Sequence, residues 1–225
     1  MILLIETSTD ICSVGIAEEG KILVEKTSSE KYSHASRLTL FIEAACQSID
    51  ITLQDLKAVA VSIGPGSYTG LRIGLSTAKG TCYALGIPLI AVDTLKGLAC
   101  KGMQIEPNAS YFIPMIDARR MEVYTVLYDQ AWEELVPNQA MILDEKSFSE
   151  FLNSGKTIVF LGNGAEKCKS LFEKANTIFL NELCAASNLA ELAHQKFVQQ
   201  DFADLAYIEP NYFKPPNITK PRKLL

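Results

Sequence analysis

Short apolar runs, separated by glycine and small polar residues, alternate along this chain with segments of helical spacing. Residues 2–6 form an apolar run that predicts a buried strand, and residues 7–10 form a turn of small hydroxyl residues and an acid. Two further strands joined at Glu19-Gly20 are predicted, because apolar runs on either side of such a turn are typical of a hairpin. From residue 33 to about 49, the apolar positions share one helical face. The first fifty residues therefore predict three strands and a helix.

A glycine-rich segment then follows the predicted strand at residues 58–63. The segment "SIGPGSYTGLRIGLSTAKG" (residues 62–80) contains five glycines and leads into a second helix. It is not a P-loop, because no Gly-Lys-Ser/Thr follows the glycines, and it lacks the Gly-x-Ser-x-Gly spacing of a nucleophile elbow. Ser67 or Thr69 can cap the N-terminus of this helix. A strand at residues 87–92 and a third helix come next.

The same order of elements begins again after a polar, turn-rich stretch at residues 100–109. A strand at residues 111–117 ends in an acid, and the turn "ARRM" stands where the first half has "TSTD". Later, "FLGNGA" corresponds to "SIGPGS". Each half combines hairpin strands with helix-linked strands, which predicts an α/β fold with one mixed sheet per half and a cleft between. We place the halves at residues 1–104 and 105–225.

Within the second half, two helices are predicted from their caps. Asp144 is the predicted N-cap of a helix that ends before Gly155, and Ser187 is the predicted N-cap of a final helix that extends to residue 200. The sequence leaves open whether this final helix and the tail pack back onto the first half.

The composition narrows the range of functions. The 225 residues are 48% hydrophobic with a formal net charge of −5, so the chain by itself is a poor candidate for binding a phosphate backbone. Six scattered cysteines without a Cys-x-x-Cys pair indicate buried thiols in a reducing compartment. No apolar run is long enough to span a membrane. We therefore expect a cytoplasmic protein without a membrane partner, whose one basic stretch is the tail at residues 220–225.

Four motifs together resemble the TsaB family of tRNA threonylcarbamoyladenosine biosynthesis subunits. They are "ILLIETST", the glycine-rich segment, "DARRMEVY" (residues 117–124) and "EPNYFK" (residues 209–214), and the resemblance extends over the whole chain. It implies the actin-like ATPase (ribonuclease H-like) fold with duplicated mixed-sheet halves.

The resemblance also implies a function and a set of partners. The expected role is that of a non-catalytic scaffold subunit, which binds the catalytic paralogue TsaD and supports threonylcarbamoyl transfer to the tRNA adenosine next to the anticodon. The ATPase TsaE would join through the complex, tRNA would be contacted only via the complex, and the chain alone would pair with itself.

In relatives of this fold, the turn after the first strand of each half wraps phosphate, and a nearby acid helps to place Mg²⁺. The matching positions in this chain are Glu6, Thr7, Ser8, Thr9, Gly64, Gly66 and Asp117. A phosphate-binding turn is usually small and contains glycine, because the backbone must approach the phosphate closely. The long side chains of "ARRM" would crowd that approach. We interpret the seven positions as vestigial phosphate loops and expect no catalytic residue and no cofactor on this chain alone, with ATP or ADP at a subunit interface left open.

A histidine metal site is not expected either. The resemblance to TsaD implies that its His-x-x-x-His pair corresponds here to Thr94 and Leu98, which are not metal ligands of that kind. The chain has only two histidines, His34 and His194, on different predicted helices.

The glycines of the second helix predict a close helix contact. Gly70, Gly74, Ala78 and Cys82 recur every four residues, although an interior glycine disfavours a helix by about 1 kcal/mol relative to alanine. A stripe of small residues lets another element approach closely, either within the chain or in a partner. The resemblance implies pairing through the first two helices. The candidate interface residues are Arg37, Leu38, Leu40, Phe41, Ala44, Gly70, Gly74, Ala78 and Cys82.

Two other hypotheses stay open. The chain could be a stand-alone ATPase or small-molecule kinase that uses Glu6 and Asp117. Arg119 and Arg120 could bind an anion and, with the basic tail, contact tRNA within a complex.

Overall fold

The structure, a computed structural model, describes residues 1–30 and 34–214. The strands are β1 (Ile2–Glu6), β2 (Cys12–Glu18), β3 (Lys21–Ser28), β4 (Ala58–Ser62), β5 (Leu89–Val92), β6 (Tyr111–Asp117), β7 (Glu122–Asp129), β8 (Glu134–Ile142), β9 (Ile158–Leu161) and β10 (Thr177–Leu180). The α-helices are α1 (His34–Ser48), α2 (Tyr68–Leu85), α3 (Thr94–Ile105), α4 (Ser149–Leu152), α5 (Lys169–Phe172) and α6 (Ala190–Val198). The predicted helix start at residue 33 and the basic tail lie outside the described residues.

The strands form two five-stranded sheets with the same order. The first sheet is β3-β2-β1-β4-β5, and the second, read in the same direction, is β8-β7-β6-β9-β10. In each sheet the hairpin strands pair antiparallel, whereas the strands reached through helices pair parallel, because a parallel pair needs a crossover connection. The predicted repeat and mixed sheets are confirmed.

Helices cover both faces of each sheet. Leu3 and Ile5 of β1 pack toward α1 and α2, whereas Ile2 and Leu4, on the opposite face, pack toward α6. Helix α3 lies on the second sheet, against β6 and β9, and also contacts α6. Helices α3 and α6 are therefore sandwiched between the two sheets, and the short helices α4 and α5 help to cover the outer face of the second sheet.

Helix α2 begins and ends at residues that are typical helix caps. The Ser67 hydroxyl accepts a hydrogen bond from the Gly70 N–H at 3.2 Å, so Ser67, and not Thr69, is the N-cap of the two predicted alternatives. Gly86 ends the helix in the left-handed conformation, with φ of 66°, which glycine adopts without steric penalty.

The second half departs from its predicted helices. The helix predicted from Asp144 is only the single turn Ser149–Leu152. The Asp144 carboxylate instead accepts hydrogen bonds from the N–H groups of Lys146 and Ser147, at 3.0 and 2.9 Å, so it closes a separate turn. Ser187 is not the cap of the last helix. It lies within a 3₁₀ turn, Ala186–Leu189, and α6 begins at Ala190.

The end of the described chain returns to the first half. Leu189, Leu192 and Ala193 pack against the inner face of the first sheet. The Ala203 N–H then donates to the Leu89 carbonyl oxygen at 2.9 Å, beside strand β5. Helix α6 and Ala203 therefore pack with the first half, although they follow the predicted boundary at residue 104 along the chain.

Residues 203–214, which we name the C-terminal strap, cross from one half to the other. The Asn211 N–H donates to the Ile63 carbonyl oxygen at 2.7 Å, and the Tyr212 ring lies 4.7 Å from that of Tyr68. Further along, Phe213 contacts Tyr124 of β7, at a ring separation of 6.2 Å, and Lys214 pairs with Glu122. The strap therefore ties α2 to the second sheet.

The contribution of the Ser67 hydroxyl to the stability of the fold can be measured directly. We expect Ser67→Ala to lower the free energy of unfolding by about 1 kcal/mol, because the first helical turn loses its side-chain acceptor. The melting temperature should fall by roughly 2–4 °C for a chain of this size. Ser76→Ala, at an exposed position inside the same helix, is the matched control and should not lower it. Equal melting temperatures for the two variants would contradict the assigned cap.

Candidate functional site

The turn between β1 and β2 is hydrogen-bonded within the chain. The Glu6 carboxylate accepts from the Ser8 N–H at 2.7 Å and from the Ser62 hydroxyl at 2.9 Å. The Ser8 carbonyl accepts from the Ser67 N–H at 2.6 Å, and the Thr7 hydroxyl donates to the Gly70 carbonyl at 2.9 Å. Thr9 also turns inward and accepts from the Ile11 N–H at 3.3 Å. The N-terminus of α2 therefore closes over this turn.

Three glycines make that closure possible. A β-carbon at Gly66 would collide with the Ser8 carbonyl oxygen, and one at Gly70 with the Thr7 carbonyl oxygen. A β-carbon at Gly74 would collide with the Thr7 hydroxyl. Helix α2 can lie directly on the turn only because these positions have no side chain.

The stripe of small residues therefore faces inward. Gly70, Gly74, Ala78 and Cys82 are all buried, and so is Leu38 of α1. The prediction that these five residues belong to a partner surface is corrected by this placement, because the chain's own turn and sheet already cover them. The close contact that the glycine spacing predicts is present, but it is intramolecular.

Other candidate interface residues remain accessible on the outer side of α1 and α2. Arg37 is exposed, Leu40 is 55% exposed, and Phe41 and Ala44 are half-buried. Their role at an interface stays a prediction.

Two residues of α2 that were not among the candidates lie on the same outer side. Gly80 is exposed, and a β-carbon there would have no heavy atom within 4 Å, so internal packing does not require a glycine. Tyr83, one turn further along, is 84% exposed. Open space at a helical glycine is the signal that distinguishes Gly80 from Gly70 and Gly74, and only the folded chain reveals it.

The equivalent turn of the second half is held by a lysine. The Lys167 ammonium donates to the Asp117 carboxylate at 2.8 Å, to the Arg120 carbonyl at 2.9 Å and to the Glu122 carbonyl at 2.5 Å. The same Asp117 oxygen accepts from the Arg119 N–H at 2.6 Å. The cation that this turn binds is therefore the chain's own ammonium group. Sequence spacing did not single out Lys167, because it lies 50 residues from its carboxylate partner.

A phosphate group with Mg²⁺ does not fit this arrangement. A phosphate-binding turn needs free N–H groups and open space, whereas the Ser8 N–H is bonded to Glu6 and α2 covers the turn. Mg²⁺ needs oxygen ligands in a near-octahedral set, and the Asp117 carboxylate is already paired with Lys167. Each of the two predicted turns is therefore closed by groups of this chain.

The electrostatics of Glu6 agree with this closure. Only 1% of the residue is exposed, and burial raises the pKa of its carboxyl group, an effect that the hydrogen bonds from Ser8 and Ser62 oppose in part. A carboxyl group that burial drives toward its neutral form is a weak ligand for a divalent cation.

The positions that match a metal pair in the resemblance have structural roles. The Thr94 hydroxyl accepts from the Gly64 N–H at 3.1 Å, and Leu98 packs in the core between α3 and the second sheet. His34 is buried, with its Nε2 atom 3.2 Å from the Ile11 carbonyl oxygen, and His194 is half-buried on α6. Over residues 1–30 and 34–214, no three His, Cys, Asp or Glu side chains are grouped as metal ligands would be.

A cavity of about 400 Å³ lies beside the glycine turn of the second half. It is large enough for a small molecule, and it includes none of the candidate site residues. The residues that line it are Gly162, Ala165, Glu166, Lys169, Phe179, Leu180 and Asn181.

Two halves with the same five-stranded mixed sheet, each with a tight turn after its first strand, define the actin-like ATPase (ribonuclease H-like) class of fold. The family model described as "TsaD: tRNA N6-adenosine threonylcarbamoyltransferase" matches residues 21–220. The tRNA threonylcarbamoyladenosine biosynthesis protein TsaB of Bacillus subtilis is 34% identical over 176 residues, which are 76% of this chain and 75% of that protein. The Escherichia coli protein of the same name is 27% identical over 95% of this chain and 94% of its own length.

A solved structure agrees with the sequence relatives. A Pseudomonas aeruginosa protein described as similar to the peptidase YeaZ superposes with a TM-score of 0.79 at 25% identity, over 95% of this chain and 99% of its own. The chain therefore belongs to the TsaB family of tRNA threonylcarbamoyladenosine biosynthesis proteins, within the broader family that the TsaD model describes.

In the described parts of the chain, every helix is too short or too polar to cross a bilayer.

Replacing Gly74 tests the contact between α2 and the first turn. We expect Gly74→Ala to destabilise the fold by about 1–3 kcal/mol, because its methyl group collides with the Thr7 hydroxyl. Gly80→Ala is the matched control and should stabilise the chain by up to about 1 kcal/mol, because alanine favours the helix. Urea denaturation measures both changes. Thr7→Ala should relieve part of the Gly74→Ala defect, and strict additivity in this double-mutant cycle would contradict the contact.

The pH dependence of Glu6→Gln tests the buried carboxyl group. Since the folded-state pKa is raised, the contribution of Glu6 to stability is fully present below its unfolded pKa and is lost as pH rises through the folded pKa. The advantage of Glu6→Gln over the native chain should therefore grow by about 1.4 kcal/mol per pH unit between those two values. Urea denaturation from pH 4 to pH 8 measures it, with Glu43→Gln on the exposed side of α1 as control. A difference that does not change with pH would refute the raised pKa.

Proposed function

We propose that this chain is a non-catalytic cytoplasmic subunit that binds TsaD and supports threonylcarbamoyl transfer to the tRNA adenosine next to the anticodon. The observation that carries the proposal is that both candidate phosphate turns are closed by the chain's own groups. The relatives in Bacillus subtilis and Escherichia coli are named for biosynthesis of this modified nucleoside. A chain with this ancestry and with closed turns is suited to support a reaction rather than to perform it.

The closed turns argue against a separate ATPase or kinase activity. Catalysis of phosphoryl transfer depends on positioned phosphate and metal, which need donors and ligands aimed at open space. In this chain the α2 glycines lie against the first turn, and Lys167 neutralises Asp117 at the second. Glu6 and Asp117 are therefore better explained as structural residues.

The outer side of α1 and α2 supports the docking role. The two helices pack side by side on the outer face of the first sheet, and they leave Leu40 and Tyr83 exposed by 55% and 84%. Gly80 would let another helix approach α2 closely, at the expense of helix propensity. We place TsaD on this outer face, and in the absence of TsaD a second copy of this chain on the same face.

The remaining partners follow from that assembly. TsaE and tRNA join through the complex with TsaD, because the net charge of −5 disfavours tRNA binding by this chain alone. A nucleotide would be held between subunits rather than in either closed turn.

Charge placed on the outer face should prevent assembly without unfolding the chain. We expect Gly80→Glu and Tyr83→Glu each to weaken binding to TsaD at least tenfold, because a carboxylate would be desolvated between apolar helices. Size-exclusion chromatography with light scattering, with and without ATP and Mg²⁺, measures the assembly. Lys174→Glu, at an exposed position between α5 and β10 in the second half, is the control and should bind normally.

Gly74→Glu and Ala78→Glu cannot serve in this experiment, because both positions are buried and the variants would be expected to unfold. Normal assembly by a folded Tyr83→Glu chain would contradict the proposed face. Magnesium-dependent ATP hydrolysis by the native chain alone, lost in Glu6→Gln, would overturn the non-catalytic role.

A further inference from the structure

The turn between β6 and β7 contains two consecutive arginines in left-handed backbone conformations. Arg119 has φ of 74° and Arg120 has φ of 52°. Residues with a β-carbon are disfavoured in this region, where glycine and asparagine are tolerated best. A turn of the first half, between β2 and β3, also has two positive φ values, and there the second residue is Gly20. The geometry of the backbone therefore does not explain why arginine occupies both positions.

Hydrogen bonds hold the backbone of this turn in place. Lys167 binds the Arg120 carbonyl, Asp117 accepts from the Arg119 N–H, and the Met121 carbonyl accepts from the Leu143 N–H at 2.8 Å. Both arginine residues are exposed. Because their backbone is bonded on three sides, the two side chains project from a rigid support.

The nearby acids do not neutralise the arginines. Asp117 is paired with Lys167, and Glu122 with Lys214. Within residues 1–30 and 34–214, no carboxylate lies within ion-pair distance of either guanidinium group. The turn therefore presents two uncompensated positive charges on a chain whose net charge is negative.

Aromatic rings continue this surface along the C-terminal strap. Tyr212 and Phe213 are 39% and 40% exposed, although each also contacts a second ring. The Lys214–Glu122 pair fixes the end of the strap beside the arginine turn. Exposed rings beside guanidinium groups are the combination that binds unpaired RNA, in which bases stack on the rings and phosphates pair with arginine.

We infer that Arg119, Arg120, Tyr212 and Phe213 form one RNA-contacting strip, with the arginines on phosphates and the rings on unpaired bases. The inference rests on the proposed function and deepens it, since it assigns to this chain a direct contact with an unpaired region of tRNA within the complex. We favour RNA over an acidic protein surface because partly exposed rings and guanidinium groups match the two components of an unpaired strand, its bases and its phosphates. Two phosphate contacts on a chain of net charge −5 are too few for binding alone, so the contact requires the assembled complex.

The test compares variants that remove the charges without harming the turn. Arg119→Asn/Arg120→Asn retains polar residues that tolerate left-handed backbone, so the melting temperature should equal or exceed that of the native chain. Lys21→Gln/Lys57→Gln removes the same charge at the opposite end of the first sheet. Each full-length chain is assembled with TsaD, and fluorescence anisotropy measures binding of an unmodified tRNA transcript between 50 and about 200 mM salt.

The strip predicts a specific pattern of results. The arginine variant should bind tRNA at least fivefold more weakly, and its salt slope should fall by about 1.4 to 1.8, as expected when two phosphate contacts are lost. The lysine control should match the native complex. Phe213→Leu should weaken binding severalfold with an unchanged salt slope, because it removes stacking and no charge.

Three results would overturn the inference. One is unchanged affinity and salt slope in the arginine variant, while the complex forms and modification of tRNA still depends on this chain. Another is a lower melting temperature, which would give the arginines a structural role. The third is weaker assembly with TsaD and unchanged tRNA binding, which would assign the strip to a protein partner. Failure of the native chain to bind TsaD would instead refute the proposed function.

Discussion

The contact between the first turn and the glycine face of α2 determines how the rest of this structure is organised. Thr7 and Ser8 lie where side chains of an ordinary helix would be, and Gly66, Gly70 and Gly74 leave the room for them. Because the helix rests on the turn, the turn has no space for a phosphate. Because that side of the helix is buried, the opposite side is the one left for a partner. The same three glycines therefore close the first turn and leave the opposite side of α2 as the docking face that we propose.

The second half reaches a similar closed state by a different physical means. At the first turn, backbone packing excludes a ligand, and burial moves the Glu6 carboxyl group toward its neutral form. At the second turn, the Lys167 ammonium takes three oxygen acceptors that a ligand-binding turn would leave available. One half uses steric exclusion and the other uses an internal counter-ion. The two equivalent turns of this duplicated fold are therefore closed by unrelated contacts.

The C-terminal strap gives the halves a common surface. It follows α2, stacks Tyr212 on Tyr68 and ends in the pair between Lys214 and Glu122. The helix that we place at the partner interface is therefore connected to the arginine turn of the second half by hydrogen bonds and ring contacts. An assembly formed through α2 would hold that turn in a defined orientation toward any RNA bound nearby.

The order of the strands, the helices of the first half and the repeat of the halves could be predicted from the sequence, because periodicity and turn chemistry act between residues close along the chain. The sequence left the cap of α2 open between Ser67 and Thr69, and it misplaced two helices of the second half. It also indicated that α2 makes a close contact, but not with what, since glycine spacing is the same whether the neighbour is internal or external. Tertiary structure decided that question through Thr7, which meets Gly70 across 63 residues. It also decided the bond between Lys167 and Asp117 and the course of the strap. These contacts join residues far apart along the chain, and their geometry exists only once both sheets have formed.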